Sequence, residues 1–131
     1  MVLRMIQLID HVAITVRDLR ETINFYEKLG FKPTERNVTP TQTVQFLVSG
    51  QARIEVFAPI ETKTPPELSQ MDLGVKHIAL KVEDARKAYE EMKNRGVVFQ
   101  SEPKRSPMGN IVAFFKDPNG ILLQLIEVGK L

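Results

Sequence analysis

His11-Val12-Ala13-Ile14-Thr15-Val16 returns, 66 positions later, as His77-Ile78-Ala79-Leu80-Lys81-Val82. The register holds without a gap through Asp18 and Asp84, Arg20 and Arg86, and Gly30 and Gly96. Further on the offset drifts by a few residues, and Ala52-Arg53-Ile54-Glu55-Val56-Phe57 lies over Ile121-Leu122-Leu123-Gln124-Leu125-Ile126. A repeat of this length means that one supersecondary unit occurs twice. Residues 8–16 alternate and are rich in β-branched side chains, which reads as a strand. Asp18 followed by Glu21 reads as a capping box, an acceptor for the first free N–H groups of a helix with an acid three residues on. The helix then runs through Leu19, Ile23, Tyr26 and Leu29, spaced to bury one face. Gly30 ends it, because a glycine takes positive φ at little cost. Strands follow at about 31–37, 43–49 and 52–58.

The second half repeats this order. A strand is expected at about 75–82 and a helix from Asp84 to Arg95, stopped by Gly96. Further strands are expected near 97–101, 110–116 and 121–128, with Asp117-Pro118-Asn119-Gly120 as the turn between the last two. The reading is an α+β fold of two βαβββ modules forming a cupped, half-open eight-stranded sheet. Residues 1–131 form a single domain, with module one at about 8–58, a linker at 59–74 holding Pro59, Pro65 and Pro66, and module two at about 75–128. Each sheet needs its helix on one face and leaves the other open, so two open faces brought together make a pocket.

Strand parity says which side chains enter that pocket. Val12, Ile14 and Val16 take the helix face, so His11, Ala13 and Thr15 take the open one. Ile78, Leu80 and Val82 likewise leave His77, Ala79 and Lys81 on the open side. Ile54 and Val56 leave Arg53, Glu55 and Phe57, and Leu123 and Leu125 leave Leu122, Gln124 and Ile126. His11, Glu55, His77 and Gln124 are therefore expected to converge, two from each module at equivalent positions. The chain has two histidines, and both fall in this set. Two imidazoles, a carboxylate and an amide oxygen suit a divalent first-row ion, with Ni, Co, Zn, Mn and Fe undistinguished. Arg53 and Lys81 flank the set, and either they bind an anionic substrate group or they are solvated at the rim. Phe46, Phe57 and Phe114 either line the pocket or belong to the core. Glu127 has the wrong parity for a ligand unless a bulge re-aims it.

Composition narrows the field. The chain has 131 residues, 43% hydrophobic and 26% charged, enough for a real core. Eighteen basic residues against sixteen acidic ones make a net charge of +2 without a basic stripe, so no nucleic-acid partner is expected. There is no cysteine, which excludes disulfides, thiolate ligands and cysteine nucleophiles. No stretch reaches the length of a membrane span, so no membrane partner is expected and the reading is a cytoplasmic protein.

Asp10-His11-Val12-Ala13, Asn24-Phe25-Tyr26-Glu27-Lys28-Leu29-Gly30-Phe31, Lys76-His77-Ile78-Ala79-Leu80 and Asp117-Pro118-Asn119-Gly120 together resemble the vicinal oxygen chelate superfamily. That superfamily includes glyoxalase I, methylmalonyl-CoA epimerase, fosfomycin-resistance transferases, extradiol dioxygenases and bleomycin-resistance proteins. The resemblance runs from Ile9 to Val128. It implies one metal ligand from each of the first, fourth, fifth and eighth strands, which here are His11, Glu55, His77 and Gln124. The last departs from the glutamate usual in such relatives, and an amide cannot take a proton. Gln45 stands where the epimerase resemblance implies a catalytic glutamate, and is carried forward as a substrate contact. The missing carboxylates weaken the epimerase and dioxygenase alternatives. The expectation is glyoxalase-like lyase or isomerase chemistry with Glu55 as the base, on an α-oxo or thiol-linked small substrate, in a homodimer. The alternative is a small-molecule binding protein of the bleomycin-resistance kind. The loop Ser101–Gly109, carrying Lys104 and Arg105, is read as an exposed connection, or else as a lid holding an anionic thiol.

Overall fold

Two helices end in the same way, and this shows how closely the modules repeat. In the computed structural model, which describes residues 3–129, α1 is Leu19–Lys28 and α2 is Ala85–Asn94. Asp18 accepts from the Glu21 N–H at 3.0 Å and Asp84 from the Lys87 N–H at 3.0 Å, each satisfying a helix-end donor. At the other end Gly30 N–H donates to the Glu27 carbonyl and Phe31 N–H to that of Tyr26. Gly96 to Lys93 and Val97 to Met92 repeat the pair. This is the Schellman arrangement, and it needs the positive φ found at Gly30 (102°) and Gly96 (93°). The residue after each glycine folds back on the helix: Phe31 meets the Tyr26 ring edge-on at 5.7 Å.

Module one has strands β1 (Val12–Thr15), β2 (Lys32–Val38), β3 (Gln42–Ser49) and β4 (Ala52–Pro59), ordered β1-β4-β3-β2. Module two has β5 (Ile78–Lys81), β6 (Lys104–Arg105), β7 (Ile111–Lys116) and β8 (Leu122–Glu127), ordered β5-β8-β7-β6. In each, the first strand runs parallel to the last and the other pairs are antiparallel. The two βαβββ modules are thus as expected, with two corrections. The described residues form two separate four-stranded sheets, not one eight-stranded sheet. The sixth strand lies at 104–105 instead of 97–101, where Phe99 makes one isolated bridge to Phe115. Phe99 stacks on both Tyr89 and Phe115, so that stretch serves the core beneath α2 rather than the sheet edge.

The core lies between each helix and its sheet and is shared by the modules. Ile14, Val16, Leu47, Ile54 and Val56 join Phe115, Leu123 and Leu125 in one cluster. The contact is clasped by polar bonds. Tyr26, fully buried, donates to Asp117 Oδ2 at 2.9 Å. Asn119 accepts from the Arg17 N–H at 3.1 Å and donates to Thr22 Oγ1 at 3.2 Å. The helix side of module one is thereby held against the Asp117–Gly120 turn of module two. Tyr26 titrates far above its ordinary range, because burial and the neighbouring carboxylate both oppose a phenolate. Among the described residues no helix is long and apolar enough to cross a membrane.

Candidate functional site

The parity expected for the open faces holds. Cross-strand register sets Glu55 opposite Phe46 and beside Ala13, with Arg53 opposite Val48 and Phe57 opposite Val44. In module two it sets Gln124 beside Ala79 and opposite Phe114. Each histidine sits just before the first strand of its module and meets the aromatic ring that faces it. His11 meets Phe46 edge-on at 5.4 Å, and His77 meets Phe114 in the same way at 5.4 Å. Phe46 and Phe114 therefore line the open faces instead of joining the core. Their equivalence was readable in the pairing of Val44-Gln45-Phe46 with Val112-Ala113-Phe114.

Module one holds a composed pair. His11 Nε2 faces Glu55 Oε1 at 3.5 Å. Two ligands about 2.1 Å from one ion, at angles of about 90–110°, stand roughly 3.0–3.4 Å apart, so the spacing suits a shared divalent cation. His11 Nδ1 bonds Asp10 Oδ2 at 2.8 Å, and Arg53 Nη1 donates to the same oxygen at 2.8 Å. The imidazole and the guanidinium hold the Asp10 carboxyl below its usual range. Arg53 is thus tied to Asp10 and lies 4.8 Å over the Phe46 ring, so its side chain is already engaged.

Module two supplies His77 and Gln124, and Gln124 is only 9% exposed. Within one chain the four expected ligands do not gather. His11 and Glu55 belong to module one and His77 and Gln124 to module two, each pair at the face of its own sheet. Among the described residues no group of three His, Asp or Glu is close enough to hold an ion. The physical reason is the clasp: the modules pack through their helix sides, which leaves the open faces unopposed.

Three further expectations resolve locally. Gln45 does not face the open side. It lies opposite Val56, is 1% exposed, accepts from Arg36 Nε at 2.6 Å and donates to the Glu35 and Phe46 carbonyls. The likeness of the local sequence hid a parity that places it under the helix, where its amide is buried and fully engaged in hydrogen bonds. Glu127 accepts from the Ala85 N–H at 2.9 Å and so caps α2, a role its strand position did not suggest. Lys104 and Arg105 pair with Val112 and Ile111 as an edge strand. This sets Lys81, Ile126, Val112 and Lys104 in one row across the open face of module two. Lys116, opposite Leu122, has the same parity. An open groove of about 1000 Å³ lies away from both histidines, lined by Val82, Asp84, Lys87, Ile111 and Glu127 among others.

The comparisons with known proteins agree with this architecture. A family model described as the glyoxalase/bleomycin resistance protein/dioxygenase superfamily matches residues 8–125. The Bacillus subtilis (strain 168) protein YwkD is 33% identical over 128 residues, 91% of this chain and 95% of its own length. The lactoylglutathione lyase of Escherichia coli O157:H7 is 30% identical over 122 residues, 89% of this chain and 90% of its own. The crystal structure of a glyoxalase family protein from Enterococcus faecalis superposes with a TM-score of 0.79 at 30% identity, covering 92% of this chain and 98% of that one. With two βαβββ modules, a histidine at the head of each and a family match over most of its length, the chain belongs to the glyoxalase/bleomycin resistance protein/dioxygenase superfamily.

Proposed function

We propose that the protein is a cytoplasmic, metal-dependent lyase or isomerase of the glyoxalase type, acting on an α-oxo or thiol-linked small substrate. The observation that carries this reading is His11 Nε2 directed at Glu55 Oε1, 3.5 Å away, on an exposed sheet face. A binding cup has no need of an imidazole and a carboxylate at ligand spacing. His11 and Glu55 would hold the divalent ion from one side and His77 and Gln124 from the other. Bound there, the ion would polarise adjacent oxygens of the substrate. Glu55, the single carboxylate in the set, takes the proton from one carbon and returns it to its neighbour. Gln124 offers a neutral oxygen and no base. Lys81 stands free of the clamp that engages Arg53, and with Lys104 it gives the face of module two a positive bias toward an anionic substrate.

We further propose that two copies complete each site, module one of one chain facing module two of the other. Three features support this. The ligands are split between separate sheets. β1 and β5 each lie at the edge of their sheet. The segments leading into them expose apolar side chains at equivalent positions, with Met5 and Met71 86% and 90% exposed. Such edges and patches are ordinarily covered.

Elemental analysis after metal-free expression and reconstitution tests both points. Wild type is expected to bind about one ion per chain and His11→Ala/His77→Ala almost none. Mixing the single variants His11→Ala and His77→Ala, then allowing exchange, should restore about a quarter of the wild-type sites, because each hybrid dimer regains one intact site. No restoration would place each site within one chain. Wild type that retains no more metal than the double variant, with no turnover of methylglyoxal plus glutathione, would leave a small-molecule binding protein as the function.

A further inference from the structure

We infer that Asp10 and Arg53 are positioning residues for His11, holding the imidazole in the tautomer that carries its proton on Nδ1 and leaves the Nε2 lone pair facing Glu55. The bond between His11 Nδ1 and Asp10 Oδ2 is 2.8 Å, and an ionised carboxylate can only accept, so Nδ1 must donate. In a neutral ring that leaves Nε2 as the acceptor, the form a metal requires. Free imidazole in water favours the opposite tautomer, so the preference here is imposed.

The imposing group is itself held. Arg53 Nη1 donates to the same Asp10 oxygen at 2.8 Å, its guanidinium lies 4.8 Å over Phe46, and Phe46 packs edge-on against His11 at 5.4 Å. Asp10, His11, Phe46 and Arg53 thus form a closed circuit around the imidazole. Stability does not account for it: the Asp10 side chain is 67% exposed, and ion pairs of that kind contribute little to folding. Module two has the same backbone and the same ring at Phe114, but Lys76 replaces Asp10 and Leu122 replaces Arg53. Neither can accept a proton from His77. Module one is therefore the preset half of the site, and module two would meet an ion already held.

The metal-affinity part of this inference rests on the function proposed above, whereas the tautomer part does not. Two-bond ¹H–¹⁵N spectra of metal-free protein, recorded at alkaline pH once the ¹⁵N shifts themselves show both imidazoles neutral, report each histidine's tautomer. His11 is expected with its proton on Nδ1, reverting to Nε2 in Asp10→Ala, with His77 unchanged. Asp10→Asn, whose amide oxygen still accepts, should keep the native tautomer. Co(II) competition against a chelator should show affinity reduced about 10- to 100-fold in Asp10→Ala and in Arg53→Met, and largely restored in Asp10→Asn. A wild-type His11 protonated on Nε2 would overturn the inference, as would an Asp10→Ala protein with native tautomer and native affinity. The expected tautomer in a wild type that binds no Co(II) would uphold the positioning role and reject the metal-dependent function.

Discussion

The two modules share a backbone and differ in chemistry. Both place a histidine before their first strand, a ring across from it, an aspartate cap before the helix and a glycine after it. At three positions around the histidine they diverge: Asp10, Arg53 and Glu55 in module one, Lys76, Leu122 and Gln124 in module two. Module one holds the carboxylates, while the open face of module two carries Lys81 and Lys104, with Lys116 at the same parity but paired with Glu67 at 3.7 Å. Under the proposed function, repetition would keep the geometry that brings ligands to one ion. Divergence would then let one half handle the proton and the other receive the substrate's charge.

The sharpest way to break this comparison is to exchange the two ligands. Glu55→Gln should lower turnover about 10²- to 10⁴-fold with metal retained, since an amide keeps the shape and an oxygen but removes the base. Gln124→Glu should keep or raise activity. Turnover and metal content measured together, with methylglyoxal plus glutathione and with a coenzyme A thioester, decide it. Undiminished activity in Glu55→Gln would mean that the modules do not divide the chemistry in this way.

A smaller effect tests the clasp. Tyr26 is equivalent to Met92, but only Tyr26 bonds across the modules, to a buried carboxylate. Tyr26→Phe should cost about 1.5–3 kcal/mol in denaturant unfolding, the worth of a hydrogen bond to a charged group. Met92→Leu, which conserves volume, should cost less than about 1.5 kcal/mol. The same bond predicts a pH dependence. The folded state raises the Tyr26 pKa above its ordinary 10.0. Above that pH the unfolded chain therefore releases a proton that the native state keeps. The Tyr26 contribution should be complete below about pH 10 and fall as pH rises further. Tyr26→Phe should flatten that alkaline limb of the melting curve, and an unchanged limb would assign it to other groups.

The smallest difference concerns the helix starts. Asp18→Ala should cost about 1 kcal/mol, the usual worth of an N-cap. Asp84→Ala should cost less, because the Glu127 carboxylate also sits on the N-terminus of α2, bonded to the Ala85 N–H at 2.9 Å. Equal losses in thermal melts of the two variants would show that Glu127 gives no such support.

Much of this was legible along the chain. Period-two alternation fixes which side chains share a face, so Glu55 and Gln124 could be placed on the open faces without coordinates, and the two glycines marked where the helices stop. Gln45 was misplaced because a likeness of local sequence was preferred to the alternation of Leu47 and its neighbours. The sixth strand was misplaced because Val97, Val98 and Phe99 look like a strand, yet Phe99 is drawn into stacking with Tyr89 and Phe115. Apolar preference alone does not distinguish a strand from a core-facing coil.

The sequence by itself determined the repeat, the strand and helix order, the cap residues and the candidate ligands, because each depends on local periodicity or on a backbone need that few residue types satisfy. Only the tertiary structure decided how the modules meet. Tyr26 and Asp117 stand 91 positions apart, and nothing local in either announces the bond. That bond, together with the apolar cluster the modules share, sets the helix sides inward and the open faces outward, and so separates His11 from His77 within one chain. The same holds for the clamp of Asp10 and Arg53, 43 positions apart. Parity placed Arg53 on the open face, but only the folded distances showed that its charge is engaged by a carboxylate before any substrate arrives.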